Sequence, residues 1–244
     1  METNLAEGFL ILEDLGSNCY LDQLDSQRAD PLYGDAMAAI VTMQELPADH
    51  LPRFDEAMMR TELGLFHDWY LQRHLGLDVA ELENLFETLT VELIDNALAQ
   101  PQAWVHRDYH SRNLMVCQQN NPGILDFQDA VLGPVTYDLV SLLKDCYIAW
   151  PHERITRWVA SFFQLIQQQH ALPAFDQFLR WFDLMGVQRH MKAIGIFSRL
   201  NYRDHKPGYL ADIPRCMDYL AQQADSLPAL QQLLEWISGQ DIHR

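Results

Sequence analysis

Two short segments limit what this chain can become more than any other: HRDYHSRNLMV at 106–116 and GILDFQD at 123–129. The first carries an acid at Asp108 and an amide five places later at Asn113. The second ends a short apolar run on another acid, Asp126. WVHRD, NLMV and GILDF read as short β-rich pieces separated by polar turns. A hairpin from NLMV to GILD brings Asn113 and Asp126 to one end. That grouping suits phosphoryl transfer. One carboxylate near the acceptor orients a hydroxyl and takes its proton. A carboxylate plus an amide oxygen hold Mg²⁺, because hard cations prefer oxygen ligands. Asp108 is then the acceptor base, with Asn113 and Asp126 as metal ligands.

Around these segments the periodicity is helical. FDEAMMRTELGLFHDWYLQRHLG (54–76) is long, amphipathic and stopped by a glycine. Asp78 reads as the N-cap of the next helix, whose Leu82, Leu85, Phe86, Leu89, Leu93 and Ala97 fall at helical spacing. PLYGDAMAAIVTM is helical between prolines. DLVSLLKDCYIAW, ERITRWVASFFQLIQQQ, FDQFLRWFDLMGVQRHMKAIGIFSRL and DYLAQQADSLPALQQLLEWI continue the helical body. GFLILEDLG (8–16) reads as a buried strand ending in a bend, and Ser17 as the N-cap of a helix over 17–25. The fold class is α+β: a mostly helical body with a small β-hairpin insertion holding the polar cluster.

The 244 residues, 48% hydrophobic, suffice for a real core. A net charge of −17 disfavours nucleic acid as a partner and suits a cationic ligand, a metal–phosphate site or simply a soluble acidic surface. The cysteines at 19, 117, 146 and 216 form no CxxC pair and read as reduced thiols. No apolar run approaches a membrane span and no basic-then-apolar leader opens the chain, so the expected location is cytoplasmic, without membrane contact.

His106 reads as a packed, hydrogen-bonded structural histidine. His106 and His110 are four apart, but HRDYH lacks the glutamate of a zinc helix, which sets zinc aside. Asp129 is near enough to Asp126 to line the same site, where it binds substrate, supports the metal or caps a turn. Asp138, at a helix start, reads as an N-cap that also braces the catalytic loop. Trp69, Tyr70, Phe162, Phe163, Trp181 and Phe182 read mostly as core, with one or two available as a platform under a sugar ring. On one helix, Arg189 and Lys192 are three apart and share a face.

The Asp-to-Asn spacing matches the kinase catalytic loop H-R-D-x-x-x-x-N. HRDYHSRNLMV with GILDFQDAVLGPVTYDLVSLL resembles the aminoglycoside phosphotransferase and choline kinase family over nearly the whole chain. The resemblance implies a protein-kinase-like fold, ATP and Mg²⁺ as cofactors, Asp108 as base and Asn113 and Asp126 as Mg²⁺ ligands. It sets Glu13 and Leu15 where the hinge backbone meets the nucleotide base. More narrowly, GVQRHMKAIGIFSRL and KPGYLADIPR look like the cell-wall amino-sugar kinases, which phosphorylate N-acetylmuramate and N-acetylglucosamine at the anomeric hydroxyl in peptidoglycan recycling. That resemblance implies a small-molecule amino-sugar substrate. Arg189 would hold the lactyl carboxylate with two parallel hydrogen bonds, against the reading of a solvated charge or a structural ion pair. The alternatives are an aminoglycoside or choline kinase, whose cationic acceptors suit an acidic cleft, and a truncated, non-catalytic kinase-like binding protein.

One departure from the family pattern is large. The three lysines, Lys144, Lys192 and Lys206, all follow the catalytic loop, and no glycine-rich loop precedes residue 106. A complete kinase has both upstream. The expectation is therefore a remnant of the small lobe and hinge strand over 1–16 and a helical C-terminal lobe over 17–244. Most of the N-terminal lobe is absent, either because the true start lies upstream or because the chain is a natural fragment. Weak nucleotide binding and little turnover by this exact chain follow from that expectation.

Overall fold

The computed structural model describes residues 2–4, 7–11 and 13–240. It opens on an antiparallel hairpin, β1 (Glu2–Asn4) with β2 (Phe9–Ile11). Phe9 is 64% exposed, so the strand expected at 8–16 is shorter than drawn and not buried at this position. Leu12, within that expected strand, lies outside the described residues. The bend is present at Gly16, whose positive φ of 80° a glycine adopts at no steric cost. The next helix is one turn, α1 (Tyr20–Gln23), preceded by Cys19, and Ser17 does not cap it. Instead this segment pairs with residues 111–116: Val116 N donates to Asn18 O at 2.8 Å and Leu21 N to Ser111 O at 3.1 Å.

Helix α2 (Ala29–Gln44) carries Pro31 in its first turn, where a missing N–H costs nothing. The Asp55 side chain caps α3 (Glu56–Leu65), accepting from Met58 N at 2.9 Å. The long helix expected over 54–76 does not stay α-helical. At Phe66 it widens into a π-helix that runs to His74, and it ends at left-handed Gly76 as expected. The widening falls where α7 (Phe175–Tyr202) crosses. A Cβ on Gly195 would sit 2.4 Å from the Leu65 carbonyl carbon and 2.5 Å from Phe66 N. Asp78 is not the N-cap of the next helix: it accepts from Ala80 N at 3.1 Å, while Val79 holds the cap position of a single 3₁₀ turn and Leu82 that of α4 (Glu83–Leu98), which follows it.

Strand β3 (Gln102–Val105) pairs antiparallel with β6 (Val131–Pro134), in register Gln102↔Pro134 to Val105↔Val131. Between them lies the small hairpin β4 (Leu114–Met115) with β5 (Gly123–Ile124). Helix α5 (Tyr137–Leu143) stops well short of the helix expected through residue 150. Asp145 then turns the chain by accepting from Tyr147 N at 2.9 Å. Helices α6 (His152–Ile166), α8 (Ile213–Ala221) and α9 (Pro228–Ser238) complete the body, with Pro228 separating the last two.

Two apolar clusters form the core. One gathers Tyr33, Phe54, Tyr137, Phe162, Phe178 and Phe182; the other gathers Leu63, Phe66, Leu93, Met191, Leu220 and Leu233. Helix α7 contributes to both and is the spine on which the hairpins and outer helices are set. Phe162, Phe182, Tyr70 and Trp181 are buried, as the core reading expected, while Trp69 lines an outer hollow. No helix among the described residues is long and apolar enough to cross a membrane.

Candidate active site

The loop 106–113 leaves β3 and is held from three sides. Buried Asp138 accepts from His106 N at 2.7 Å and Arg107 N at 3.1 Å. It is therefore a brace of this loop and not an N-cap; Thr136 occupies the cap position, without a side-chain cap bond. Burial pushes the Asp138 carboxyl up to about 6. Asp145 accepts from Ser111 N at 2.9 Å. His106 is fully buried, with Nε2 2.9 Å from Leu125 O, which ties the loop to the end of β5.

Arg107 has a φ of 76° and Asp126 a φ of 68°. A side chain in the left-handed region costs about 1–3 kcal/mol unless the surroundings over-determine it, and such sites cluster where chemistry occurs. The Arg107 guanidinium bonds Glu62, which projects from α3 and also bonds Lys192 Nζ at 2.9 Å and Gln188 Nε2 at 2.9 Å. Burial raises the Glu62 carboxyl, yet Lys192 and Arg107 outweigh it and hold the group below the usual carboxylate range. Glu62 thus joins the 106–113 loop to α7.

Asp108, Asn113 and Asp126 converge. Asn113 Nδ2 donates to Asp108 O at 3.0 Å, so its amide oxygen is the atom left to offer a cation. Leu125 N donates to Asn113 O at 3.0 Å, which seats Asp126 beside Asn113 at the open end of the hairpin. Gln128 Nε2 donates to Asp126 Oδ1 at 2.8 Å. A carboxylate and an oriented amide oxygen are hard donors, and the set fits Mg²⁺.

Asp108 opens onto a cavity of about 110 Å³ walled by His110, Cys146, Tyr147, Arg189, Lys192 and Phe197, among others. Burial pushes the Asp108 carboxyl up, but Lys192, Arg189, His110 and Arg107 together hold it below the usual range and keep it ionised. Arg189 Nε donates to Ser141 Oγ and its Nη1 lies 3.5 Å from Cys146 Sγ. Lys192 also donates to Tyr137 OH at 3.0 Å. The aromatic walls are Tyr147 and Phe197, not the residues first considered as a sugar platform.

On the other side of the β4–β5 hairpin lies a cleft of about 840 Å³. Glu13 and Leu15 line it with Val116, Ile124, Leu125 and Phe127. Leu15 packs so tightly over Gly123 that a Cβ there would meet it at 2.9 Å. Asp129 is not brought to the Asp108 cavity. It lines a separate hollow of about 520 Å³ with Trp104 and Arg107, and its backbone oxygen lies 3.5 Å from Arg107 Nη1. Glu62, Asp145, His110 and Lys192 take part without having been singled out as site residues. Glu62 sits within a helical pattern that gives its inward turn no mark. Lys192 had one signal, its place three residues after Arg189.

A loop acid, with an amide and a second acid at the open end of one hairpin, beside a cleft and on a helical body, is an arrangement that suits a kinase-like phosphotransferase. The chain belongs to the phosphotransferase enzyme family (APH), whose model matches residues 3–183. It is similar to the N-acetylmuramate/N-acetylglucosamine kinase of Pseudomonas putida, 46% identical over 240 residues, covering 96% of this chain and 70% of that protein. The enzyme of the same name from Neisseria meningitidis is 37% identical over 248 residues, covering 96% and 74%. Among solved structures, an ethanolamine kinase of Plasmodium vivax superposes with a TM-score of 0.57 at 10% identity, covering 86% of this chain and 63% of that one. The gentamicin complex of the aminoglycoside phosphotransferase APH(2")-IIa gives 0.55 at 14% identity, covering 83% and 67%. These two establish the protein-kinase-like fold.

Proposed function

We propose that this chain transfers the γ-phosphoryl group of ATP to the anomeric hydroxyl of N-acetylmuramate or N-acetylglucosamine, in peptidoglycan recycling. The observation that carries the reading is the cavity at Asp108: an ionised carboxylate facing a small space walled by two buried cations, Arg189 and Lys192. The kinases that share 37–46% of their residues with this chain bear the names of these two sugars.

In this mechanism Asp108 accepts a hydrogen bond from the acceptor hydroxyl and takes its proton as the new oxygen–phosphorus bond forms and the bond from the γ-phosphorus to the bridging oxygen breaks, releasing ADP; such positioned bases contribute about 10²–10⁴-fold. Asn113 and Asp126 would hold Mg²⁺, which when bound neutralises charge on the donor phosphates. Glu13 and Leu15 supply backbone to the nucleotide base from the far side of the hairpin. Arg189 and Lys192 favour an acceptor that carries a carboxylate, as N-acetylmuramate does. Asp129 contacts only those substrate groups that reach the hollow beside Trp104. The same cations weigh against aminoglycosides and choline, because the lining sets two cations, Arg189 and Lys192, against one carboxylate, Asp108.

The test is phosphorus NMR of MgATP with each sugar, and with kanamycin and choline as rival acceptors. It is run on this chain, on a version extended upstream through its reading frame, and on Asp108→Asn in both. An anomeric sugar phosphate that disappears in Asp108→Asn is the expected result. Phosphorylated kanamycin or choline with no sugar product would replace the assignment.

A further inference from the structure

Behind the acceptor cavity is a chemistry the phosphoryl transfer does not use. Cys146 follows α5 and lines the cavity with Asp108; Cys216 lies on α8 and packs behind it. Both thiols are free and buried, and their sulfur atoms lie within 4.8 Å of each other. Arg189 Nη1 stands 3.5 Å from Cys146 Sγ. We propose that Cys146 and Cys216 form an oxidisable dithiol in the wall of the acceptor cavity, with Cys146 as the thiol that meets a peroxide and Cys216 as the thiol that resolves it.

The asymmetry follows from position. Cys146 faces the cavity and has a guanidinium beside it, the setting that favours thiolate. Its thiol is held below the ordinary range by its neighbour Cys216, and further by Arg189, against the opposing effect of burial, while Cys146 and burial push Cys216 well up. The cavity, about 110 Å³, admits hydrogen peroxide more readily than a bulky reagent. The Cys146 thiolate attacks one peroxide oxygen; the O–O bond breaks, hydroxide leaves as water after taking a proton, and Cys146 becomes a sulfenic acid. The Cys216 sulfur then attacks the Cys146 sulfur. The S–O bond breaks, and a second water departs with the Cys216 proton. Two thiols are oxidised to one disulfide and one peroxide is reduced to two waters.

His190 stands with the two cysteines, all three ligand atoms lying within 4.8 Å of one another, so a metal site is the competing reading. Nδ1 lies 2.7 Å from Gly186 O and Nε2 2.9 Å from Lys144 O; a neutral imidazole donates from only one of them, so the other keeps a lone pair, and zinc uptake is the outcome the test must separate from the dithiol. Closing the disulfide draws Cys146 toward α8. Its neighbour Asp145 holds Ser111 N, and its other neighbour Tyr147 is cavity wall, so both the loop brace and the acceptor wall are displaced.

The inference rests on the acceptor-cavity reading for its consequence, and the test separates the two. The chain is treated with hydrogen peroxide, digested without reductant and mapped by mass spectrometry, with and without saturating N-acetylglucosamine. Sugar affinity is followed by saturation-transfer NMR. Expected are a Cys146–Cys216 linked peptide lighter by two hydrogens, at least tenfold slower linkage with sugar bound, and at least tenfold weaker sugar binding, restored by dithiothreitol. Cys216→Ser and Cys216→Ala should trap dimedone-reactive Cys146 instead. Oxidation confined to Cys19 and Cys117 would overturn the proposal. So would stoichiometric zinc uptake that blocks Cys146, in favour of a metal site. Linked peptide in a chain whose reduced form binds no sugar would uphold the dithiol and refute the acceptor assignment.

Discussion

Replacing Gly195 with alanine puts the packing of the active-site spine to a direct test. The added methyl would stand 2.4 Å from the Leu65 carbonyl carbon, 2.5 Å from Phe66 N and 2.6 Å from Leu65 O. Carbon contacts settle at about 3.5–4.0 Å, so α7 and the α3–π-helix junction must part by about 1 Å. All three neighbours are backbone, so no side chain can swing aside. Overpacking of this kind costs about 1–3 kcal/mol, and the upper end applies here. Alanine regains about 1 kcal/mol of helix propensity. The same separation stretches the 2.9 Å bond between Lys192 and Glu62, whose partners are both buried, and breaking a buried pair costs about 3–5 kcal/mol when complete. Partial loss of that pair brings the net destabilisation to about 3 kcal/mol. Urea unfolding followed by circular dichroism reads it. Gly34→Ala and Gly64→Ala, at helical glycines with nothing within 4 Å, are the controls and should be neutral or slightly stabilising. The variant should also weaken sugar binding, since α7 carries Arg189 and Lys192. A Gly195→Ala chain as stable as the controls would refute the close approach and the spine argument with it.

Asp108→Asn should lower kcat about 10²–10⁴-fold with little change in acceptor binding, measured by kinetics and saturation-transfer NMR. Asp126→Gly should gain about 1 kcal/mol in urea unfolding by relieving the left-handed backbone, while Mg²⁺-supported turnover falls. Asp138→Ala strands two loop N–H donors; we expect kcat to fall at least tenfold and loop amides 106 and 107 to lose hydrogen-exchange protection. His190 is pushed down to about 3, first by burial and then by Arg189 and Lys144. Because its folded value is depressed below 6.5, its contribution to stability is complete above that pH and lost as pH falls toward 3, at about 1.4 kcal/mol per pH unit. Wild type should therefore lose about 2 kcal/mol more than His190→Gln between pH 7 and 5.

The grouping of the polar residues was legible because it is local. Asp108, Asn113 and Asp126 sit on one loop and one hairpin, and their spacing alone brings them together. Arg189 was legible through its sharing of a face with Lys192, although its burial was not. Asp138 was legible as a brace but misread as a cap, because a helix-start aspartate looks the same whether it turns back on its own helix or out to a loop. Glu62 was not legible at all: its role arises from residues 45 and 130 positions away, and no periodicity records that. The π-helical turn was likewise hidden, since Phe66–His74 reads as ordinary helix until Gly195 presses on its start. Asp129, three residues from Asp126 in sequence, lines another hollow, with Trp104 and Arg107, which sequence proximity does not record.

If the proposed function holds, Glu62 would couple the base to the acceptor wall mechanically. A single carboxylate clamps Arg107, next to the base, and Lys192, on the acceptor wall. A pull on one arm is felt at the other. An acceptor that engages Lys192 draws on the same strut that seats Asp108, whereas one that merely fills the space leaves the strut slack. Poor acceptors would then bind adequately and react slowly, so discrimination between sugars would reside in turnover and not in affinity.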